Sequence, residues 1–368
     1  MQVRAAVFEG VGKPIQTTDV EVLDPGPNEV LVRVKASGVC HTDLSVAEGK
    51  LPAPTPIILG HEGSGVVEAV GSDVTRCKVG DPVVLSLIPQ CGECFWCGKG
   101  QPELCAPGSM SSATAVQADG TPRFRRGDDA VYQFQGLGTF AEALVTHENA
   151  VVPIPGGIGF DIAALLGCAV LTGVGAAMNT ANIGEGDTVL VIGSGGVGLN
   201  VIQGAKLAGA ARVIVVDREA VKLELARRFG ATEVVLSDDG AADKVLELTG
   251  GLGVDVAFDV VGAVATAQLA LATVRRGGQV CLVGVTSAET SLPVMSTVDL
   301  VIHEKKLFGS NYGSSDVRRD VPRLLDHHGN GDLLLEELIG ERIRLDDIEA
   351  AFETMRTGQM ARSVVVFD

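Results

Sequence analysis

Positive charge is in short supply in this chain of 368 residues: 29 lysines and arginines face 46 aspartates and glutamates, a formal net charge of −17. A chain so charged repels a phosphate backbone, and no basic patch is dense enough to reverse that, so nucleic acid is not expected as a partner. The acidity is read as a well-solvated surface rather than as a docking face. Hydrophobic residues make up 46%, yet apolar runs such as VDVAFDVVGAV at 254–264 are broken by Asp or Gly, well short of the roughly 20 residues of a membrane span. No membrane association is expected. The opening MQVRAAVFEG lacks the apolar core and cleavage site of a secretory signal and reads as a strand. A cytoplasmic location with reduced thiols is the expectation that follows. Internal repeats and low-complexity tracts are absent too.

What the chain does have is cysteine, eight in all, and in a reducing compartment these suit metal better than disulfides. CGECFWCGKGQPELC at 91–105 places Cys91, Cys94, Cys97 and Cys105 with gaps of two, two and seven residues, a spacing that suits one tetrahedral zinc. A scattered set, Cys40, the His61-Glu62 pair and Cys168, offers three ligands to a second zinc and leaves its fourth position open. Closed zinc sites hold structure and open ones do chemistry. Cys77 and Cys281 are left for packing or surface.

The length fits two domains, each able to bury its own core. From Val30 to Val39 apolar and polar residues alternate as in a half-buried strand, and similar short strands are predicted at 2–8, 65–70 and 82–87. The intervening turns carry Pro25-Gly26-Pro27, Gly71-Ser72-Asp73 and Gly80-Asp81-Pro82. This part reads as an antiparallel, barrel-like domain. Beyond the Pro153–Gly157 stretch, helical segments are predicted around 161–180. From Thr188 to about 285 strands and helices alternate, the pattern of a parallel sheet with crossover helices. After 306 the pattern predicts a helix capped by Asp320 and stopped by Gly329, another near 346–357, and a last strand SVVVF. The stretch from Met110 to Gly138 is expected to be one long irregular connection, of the kind that more often carries function than idles.

DTVLVIGSGGVGLNVIQGAKLAGAARVIVVD, residues 187–217, reads as a strand, a glycine-rich turn, a helix and a second strand ending in an acid. Gly193, Gly195 and Gly198 form G-x-G-x-x-G: a tight turn, close approach of backbone to a pyrophosphate, and close packing of helix on strand. The phosphates would sit on the helix N-terminus, where unpaired N–H groups face an anion. Asp217, 19 residues after Gly198, is placed to bind the adenosine ribose hydroxyls and to repel a 2′-phosphate. NAD is therefore expected rather than NADP, with Arg218 next to Asp217 pulling the other way.

GHEGSGVVEAVGSDV at 60–74 follows G-H-E-x-x-G-x5-G-x-x-V. Taken with GVCHTD at 38–43, the four-cysteine lobe and the nucleotide-binding unit, the chain closely resembles the zinc-containing medium-chain alcohol dehydrogenases, in order and over essentially its whole length. The resemblance implies an α/β protein of two parts. One is a GroES-like, β-rich catalytic domain at 1–155 and 306–368, carrying a structural zinc lobe at 91–105. The other is a Rossmann coenzyme domain, a doubly wound parallel sheet, at 156–305. It also implies the roles of residues. Cys40, His61 and Cys168 match the catalytic zinc ligands, and Cys91, Cys94, Cys97 and Cys105 the structural site, two Zn2+ per chain. Asp43 matches the carboxylate that orients the ligand histidine, and Glu62 the acid behind the zinc. Thr42 matches the hydroxyl residue that takes the substrate proton. Ser45 stands where many relatives carry the histidine that passes the proton on, so Ser45, water or His41 is left to complete the relay. His41 and Arg362 match contacts to the coenzyme pyrophosphate and Lys222 a contact to the adenosine ribose; Gly196, Val197, Val283 and Val285 complete the coenzyme-binding set. Trp96, the only tryptophan, is assigned to packing in the lobe. His327 and His328 read as an exposed helix end, and His147 and His303 as histidines without partner spacing.

The activity implied is interconversion of primary alcohols and aldehydes by hydride transfer to or from NAD. Pocket walls by motif are Leu51, Leu87, Met110, Phe134, Gln135 and Val285, a mostly apolar channel suited to medium-chain, allylic or aromatic alcohols. The long loop resembles that of dimeric members, so a homodimer is expected, a tetramer being the alternative. It also resembles the class that oxidises a formaldehyde–thiol adduct; Ser109 stands where that class has an arginine, with Arg123, Arg125 and Arg126 as substitutes. Other readings are an enzyme that never releases its NAD(H) and, outside catalysis, a zinc-stapled NAD(H)-sensing scaffold.

Overall fold

The computed structural model describes residues 1–285, 287, 291, 296–358 and 362–368. They form two compact units, one of residues 1–169, 316–326 and 335–368 and the other of 170–315 and 327–334. The first ten strands belong to the first unit: β1 (Gln2–Phe8), β2 (Gln16–Val22), β3 (Glu29–Gly38), β4 (Ile57–Ile58), β5 (Glu62–Val70), β6 (Pro82–Leu85), β7 (Phe124–Arg126), β8 (Asp129–Gln133), β9 (Ala143–His147) and β10 (Val151–Pro153). The second unit holds β11 (Thr188–Ile192), β12 (Arg212–Asp217), β13 (Glu233–Leu236), β14 (Val254–Asp259), β15 (Val274–Leu282) and β16 (Lys306–Gly309). The chain then returns to the first unit for β17 (Glu341–Ile343) and β18 (Ser363–Val366).

In the first unit β1, β2, β7, β8 and β4 close into a small barrel, and β10-β6-β5-β3-β18-β17 form an open sheet with β9 paired on β3. β3 spans both roles of its alternation: Val30, Val32 and Val34 are fully buried while Leu31, Arg33 and Lys35 are half-buried, as period-two patterning requires. The stretch from Met110 to Gly138, expected to be irregular, instead supplies the end of a helix (Ala106–Thr114) and the β7–β8 hairpin that closes the barrel. Its turn, Gly127 at φ +62, links strands too short for periodicity to reveal. The hairpin is anchored by Arg123, whose guanidinium donates to Glu29 at 2.8 and 2.7 Å and to Asp119 at 2.8 Å.

The second unit is a parallel sheet in the order β13-β12-β11-β14-β15-β16. β11 is followed on one side by β12 and β13 and on the other by β14 to β16, so the switch point lies at the carboxyl ends of β11 and β14, where such sheets bind ligands. β16 lies in this unit, and residues 156–169 lie in the first, so the units divide at 169/170 and 315/316 where 155/156 and 305/306 were expected. The sequence texture changes at the Pro-Gly stretch; the packing changes only later, inside a continuous helical segment. That segment, Phe160–Thr180, has the length and hydropathy (1.8) of a membrane span, with 72% of its apolar window buried inside the protein. It is a longer apolar stretch than those weighed in the sequence. Near the end, the helix Val317–Gly329 begins three residues before Asp320, with Asp316 Oδ1 accepting the Arg318 N–H at 3.1 Å.

Replacing Arg123 by Ala strands Glu29, 7% exposed, without its cation. Loss of one partner of a buried pair costs about 3 kcal/mol, and chemical denaturation should show that loss without a change in metal content.

Candidate active site

Strand register gathers the first cluster. Gly38 of β3 stands opposite Glu62 of β5, and Val364 of β18 stands opposite Gly38. Cys40, His61 and Arg362, which lie one or two residues off these positions, therefore meet at one end of the sheet. Glycine at 38 is required because a Cβ there would run into the Glu62 carboxylate. Gly167 acts likewise: its Cβ would lie 2.6 Å from the Leu85 carbonyl oxygen and 3.5 Å from Glu62 Cα, so only glycine lets the helical segment bring Cys168 in. The ligand atoms of Cys40, His61, Glu62 and Cys168 all lie within 4.8 Å of one another.

Asp43 holds this cluster in register. It is fully buried; Oδ1 accepts the Gly60 N–H at 2.9 Å and lies 3.1 Å from His61 Nδ1, while Oδ2 accepts the Cys40 N–H at 3.1 Å. With Nδ1–H donating to Asp43, His61 presents its Nε2 lone pair, as a metal-binding imidazole does. The hydrogen bond from Cys168 holds the Cys40 thiol well below its ordinary pKa despite burial, helped by His61 and Arg362. The same bond, with burial, raises Cys168. A divalent cation bound here would hold both sulfurs as thiolates. Burial pushes the Glu62 carboxyl up to about 7 against the opposing pull of Arg362, with which it is ion-paired. Two sulfurs, buried Cys40 and half-buried Cys168, with an imidazole and a buried carboxylate beside them, fit a cation such as zinc.

The four-cysteine lobe is assembled as well, its sulfur atoms all within 4.8 Å. Cys91 N–H donates to Cys105 Sγ and Cys94 N–H to Cys91 Sγ, both at 3.3 Å, the polarity that thiolates favour. Backbone hydrogen bonds from Cys97 and Ala106 lower the Cys94 thiol to about 6, while burial pushes Cys97 up to about 12. Trp96 is 38% exposed and meets Phe95 edge-on at 5.2 Å, so its packing is local to the lobe surface. Cys77 and Cys281 stand apart, raised to about 11 and about 12 by burial, as packing residues are.

Around the first cluster, Thr42 Oγ1 lies 3.6 Å from Cys40 Sγ. Ser45 is 7% exposed, whereas His41 is exposed. The Phe134 ring stands edge-on to His61 at 5.6 Å. Gln135 has φ +53 and a buried Oε1 without a hydrogen-bond partner, the kind of strain found beside functional sites. Leu51 and Leu87 are half-buried in the same unit, and Met110 is 65% exposed. Arg362, matched to a coenzyme contact, is 7% exposed and committed to Glu62, a pairing the sequence did not signal. Arg126 is tied to Glu9 at 2.5 Å and Arg123 to Glu29 and Asp119; of the three loop arginines, Arg125 is exposed. The remaining histidines are structural: His147 Nδ1 accepts the Asn149 N–H at 3.1 Å, His303 pairs with Asp299 at 3.1 Å, and His327 and His328 are half-buried rather than exposed, with His328 Nδ1 3.0 Å from the Leu333 carbonyl.

In the second unit Gly193 turns the chain at φ +96, and a Cβ on Gly198 would collide with the Gly193 carbonyl. Gly195 caps the helix Gly196–Leu207 with no side-chain hydrogen bond and nothing within 4 Å of its Cβ position. Open space in front of uncapped N–H groups fits a pyrophosphate. Val197 lies in the first turn of that helix. Asp217 ends β12 beside exposed Arg218, and Lys222 is half-buried on the next helix. Val283 donates its N–H to the Asp259 carbonyl at 2.9 Å, and Val285 is 71% exposed.

An open, sulfur-rich metal cluster in a β-rich unit and a dinucleotide turn in a parallel-sheet unit together define a metal-dependent dehydrogenase. Comparison with known proteins agrees. Residues 26–156 match the alcohol dehydrogenase GroES-like domain and residues 196–327 the zinc-binding dehydrogenase domain. An NDMA-dependent alcohol dehydrogenase of Amycolatopsis methanolica is 37% identical, over 100% of this chain and 99% of its own. An S-(hydroxymethyl)glutathione dehydrogenase of Synechocystis is 36% identical, over 99% and 100%. Benzyl alcohol dehydrogenase from Acinetobacter calcoaceticus superposes with a TM-score of 0.93 at 30% identity, covering both chains fully. The chain belongs to the zinc-type medium-chain alcohol dehydrogenase family. It is an alcohol oxidoreductase, with the GroES-like and Rossmann parts expected of one.

Asp43→Asn removes the charge that makes His61 a good ligand while keeping its shape. Zinc affinity should fall about 10- to 100-fold, read by competition with a chelator.

Proposed function

We propose that the protein oxidises medium-chain, allylic or aromatic primary alcohols, and reduces the corresponding aldehydes, with NAD, using two zinc ions per chain. The observation that carries the substrate class is the Phe134 ring edge-on to His61 at 5.6 Å, an apolar wall directly beside the open metal cluster. The resemblance to a benzyl alcohol dehydrogenase supports the same class.

A zinc ion held by Cys40, His61 and Cys168 would supply a Lewis acid that lowers the pKa of an alcohol hydroxyl, and nicotinamide would supply the hydride acceptor. Around that chemistry the chain's own residues divide the work. The thiolates of Cys40 and Cys168 would offset the charge of a bound ion. Thr42 Oγ accepts the hydroxyl proton. Ser45 is buried and His41, at the head of the same helix, is exposed, which favours His41 as the group that returns the proton to solvent. Glu62, neutralised by Arg362, keeps a carboxylate in reserve behind the ligands. Asp217 binds the adenosine ribose diol, selecting NAD over NADP.

The 36% identical S-(hydroxymethyl)glutathione dehydrogenase favours a second reading, oxidation of a formaldehyde–thiol adduct. Burial of Arg123 and pairing of Arg126 leave exposed Arg125 as the loop's cation for a thiol's carboxylates, which makes this the weaker of the two. A third, in which NAD(H) never leaves, is tested by comparing native and denatured masses. For assembly, β16 is an edge strand, and Leu307 on it and Val298, Leu300, Val301 and Ile302 just before it are exposed. Edges of this kind pair with another chain unless covered, which supports a homodimer formed through β16.

Benzyl and allylic alcohols should drive NADH formation without added thiol, and Thr42→Val should lower kcat roughly 100-fold or more while zinc content stays the same. Turnover only with formaldehyde plus a thiol would replace this reading by the second. Ile302→Glu should convert a dimer to a monomer in sedimentation.

A further inference from the structure

The carboxylate of Asp217 is largely engaged before any ligand arrives. Oδ2 accepts two hydrogen bonds from one residue, Ser194 N–H at 2.7 Å and Ser194 Oγ–H at 2.8 Å. Oδ1 accepts the Glu219 N–H at 3.0 Å from the following turn. Of roughly four acceptor positions on a carboxylate, three are thus spent on the protein and one, on Oδ1, is left. Ser194 is 1% exposed, occupies the first variable position of G-x-G-x-x-G, and has no steric reason to be a serine rather than an apolar residue. A buried hydroxyl needs a partner, and this one has found the residue that faces the ribose.

We infer that Ser194 is a specificity-determining residue of the coenzyme site: its hydroxyl helps hold the Asp217 carboxylate where the remaining acceptor position meets a ribose hydroxyl and the charge repels a 2′-phosphate. The inference rests on the proposed role of Asp217. Arg218, next in the chain, is exposed and is the cation that a 2′-phosphate would seek. Asp217 outcompetes it only while held in place. Without the Ser194 hydroxyl the carboxylate keeps one backbone donor on each oxygen but loses the one side-chain bond that restricts its rotation, and its charge is held less firmly toward the ribose. Ser194 does not touch the reacting atoms; it acts through Asp217.

The test is direct binding, by NADH and NADPH fluorescence titration of the zinc-loaded protein, with no turnover required. Ser194→Ala should raise the NADH Kd about 5- to 10-fold and shrink the NADPH:NADH Kd ratio about 10-fold, the scale of one hydrogen bond to a charged group. Asp217→Ala should abolish the preference, and Ser194→Ala added to it should change neither Kd further. An unchanged ratio in Ser194→Ala, or a further equal loss in the Asp217→Ala background, would overturn the role of Ser194 while leaving NAD as the coenzyme. Tighter binding of NADPH by the unmodified protein would instead overturn the NAD assignment, and with it the inference.

Discussion

One buried carboxylate sets the geometry on which everything else depends. Asp43 has no solvent exposure and distributes its acceptors among the Gly60 amide, the Cys40 amide and His61 Nδ1. Those contacts join the end of β3, the head of the helix His41–Ala47 and the start of β5, so the spacing of Cys40 and His61 is fixed by hydrogen bonds rather than by the ion. Burying a charge this way is costly unless it is fully paired, and Asp43 is paired on both oxygens. The expense secures the orientation of the His61 ring and the spacing of the two ligands.

The second arm of the site, Glu62 with Arg362, follows a different logic. Both are buried, and burial raises the Glu62 carboxyl to about 7 even beside the guanidinium. This carboxylate lies among the ligand atoms of Cys40, His61 and Cys168, all within 4.8 Å of one another. Glycines at 38 and 167 are the packing counterpart of this electrostatics, since any side chain there would displace Glu62 or hold Cys168 away. In the second unit Ser194 does for Asp217 what Asp43 does for His61, turning a buried hydrogen bond into a fixed direction for the group that meets the ligand.

Much of this was legible in the sequence because the chemistry imposes its own spacing. Cysteines that share one zinc must lie close in the chain, so Cys91, Cys94, Cys97 and Cys105 declared themselves, as did the glycines of the 193–198 turn and the strands around Val30 and Thr188. Cys40, His61 and Cys168 were legible only jointly, through the resemblance that GVCHTD and GHEGSG carry together with the four-cysteine lobe and the nucleotide-binding unit. What escaped was either too short or too dependent on tertiary contact. The β7–β8 hairpin has strands of three and five residues, below the length at which alternation can be read. The division between units falls inside the helical segment after Leu165, where composition does not change. The Ser194–Asp217 and Glu62–Arg362 pairings leave no periodic trace, because partners so far apart in the chain meet only through strand order.

The central claim is that Cys40, His61 and Cys168 bind one ion while the four-cysteine lobe binds another. Zinc K-edge X-ray absorption on the metal-replete protein tests it most directly. The account predicts a first shell dominated by sulfur at about 2.3 Å with an imidazole component at about 2.0 Å, the imidazole signal lost in His61→Ala and retained in Cys94→Ser. A shell of oxygen alone, or an imidazole signal indifferent to His61, would contradict it.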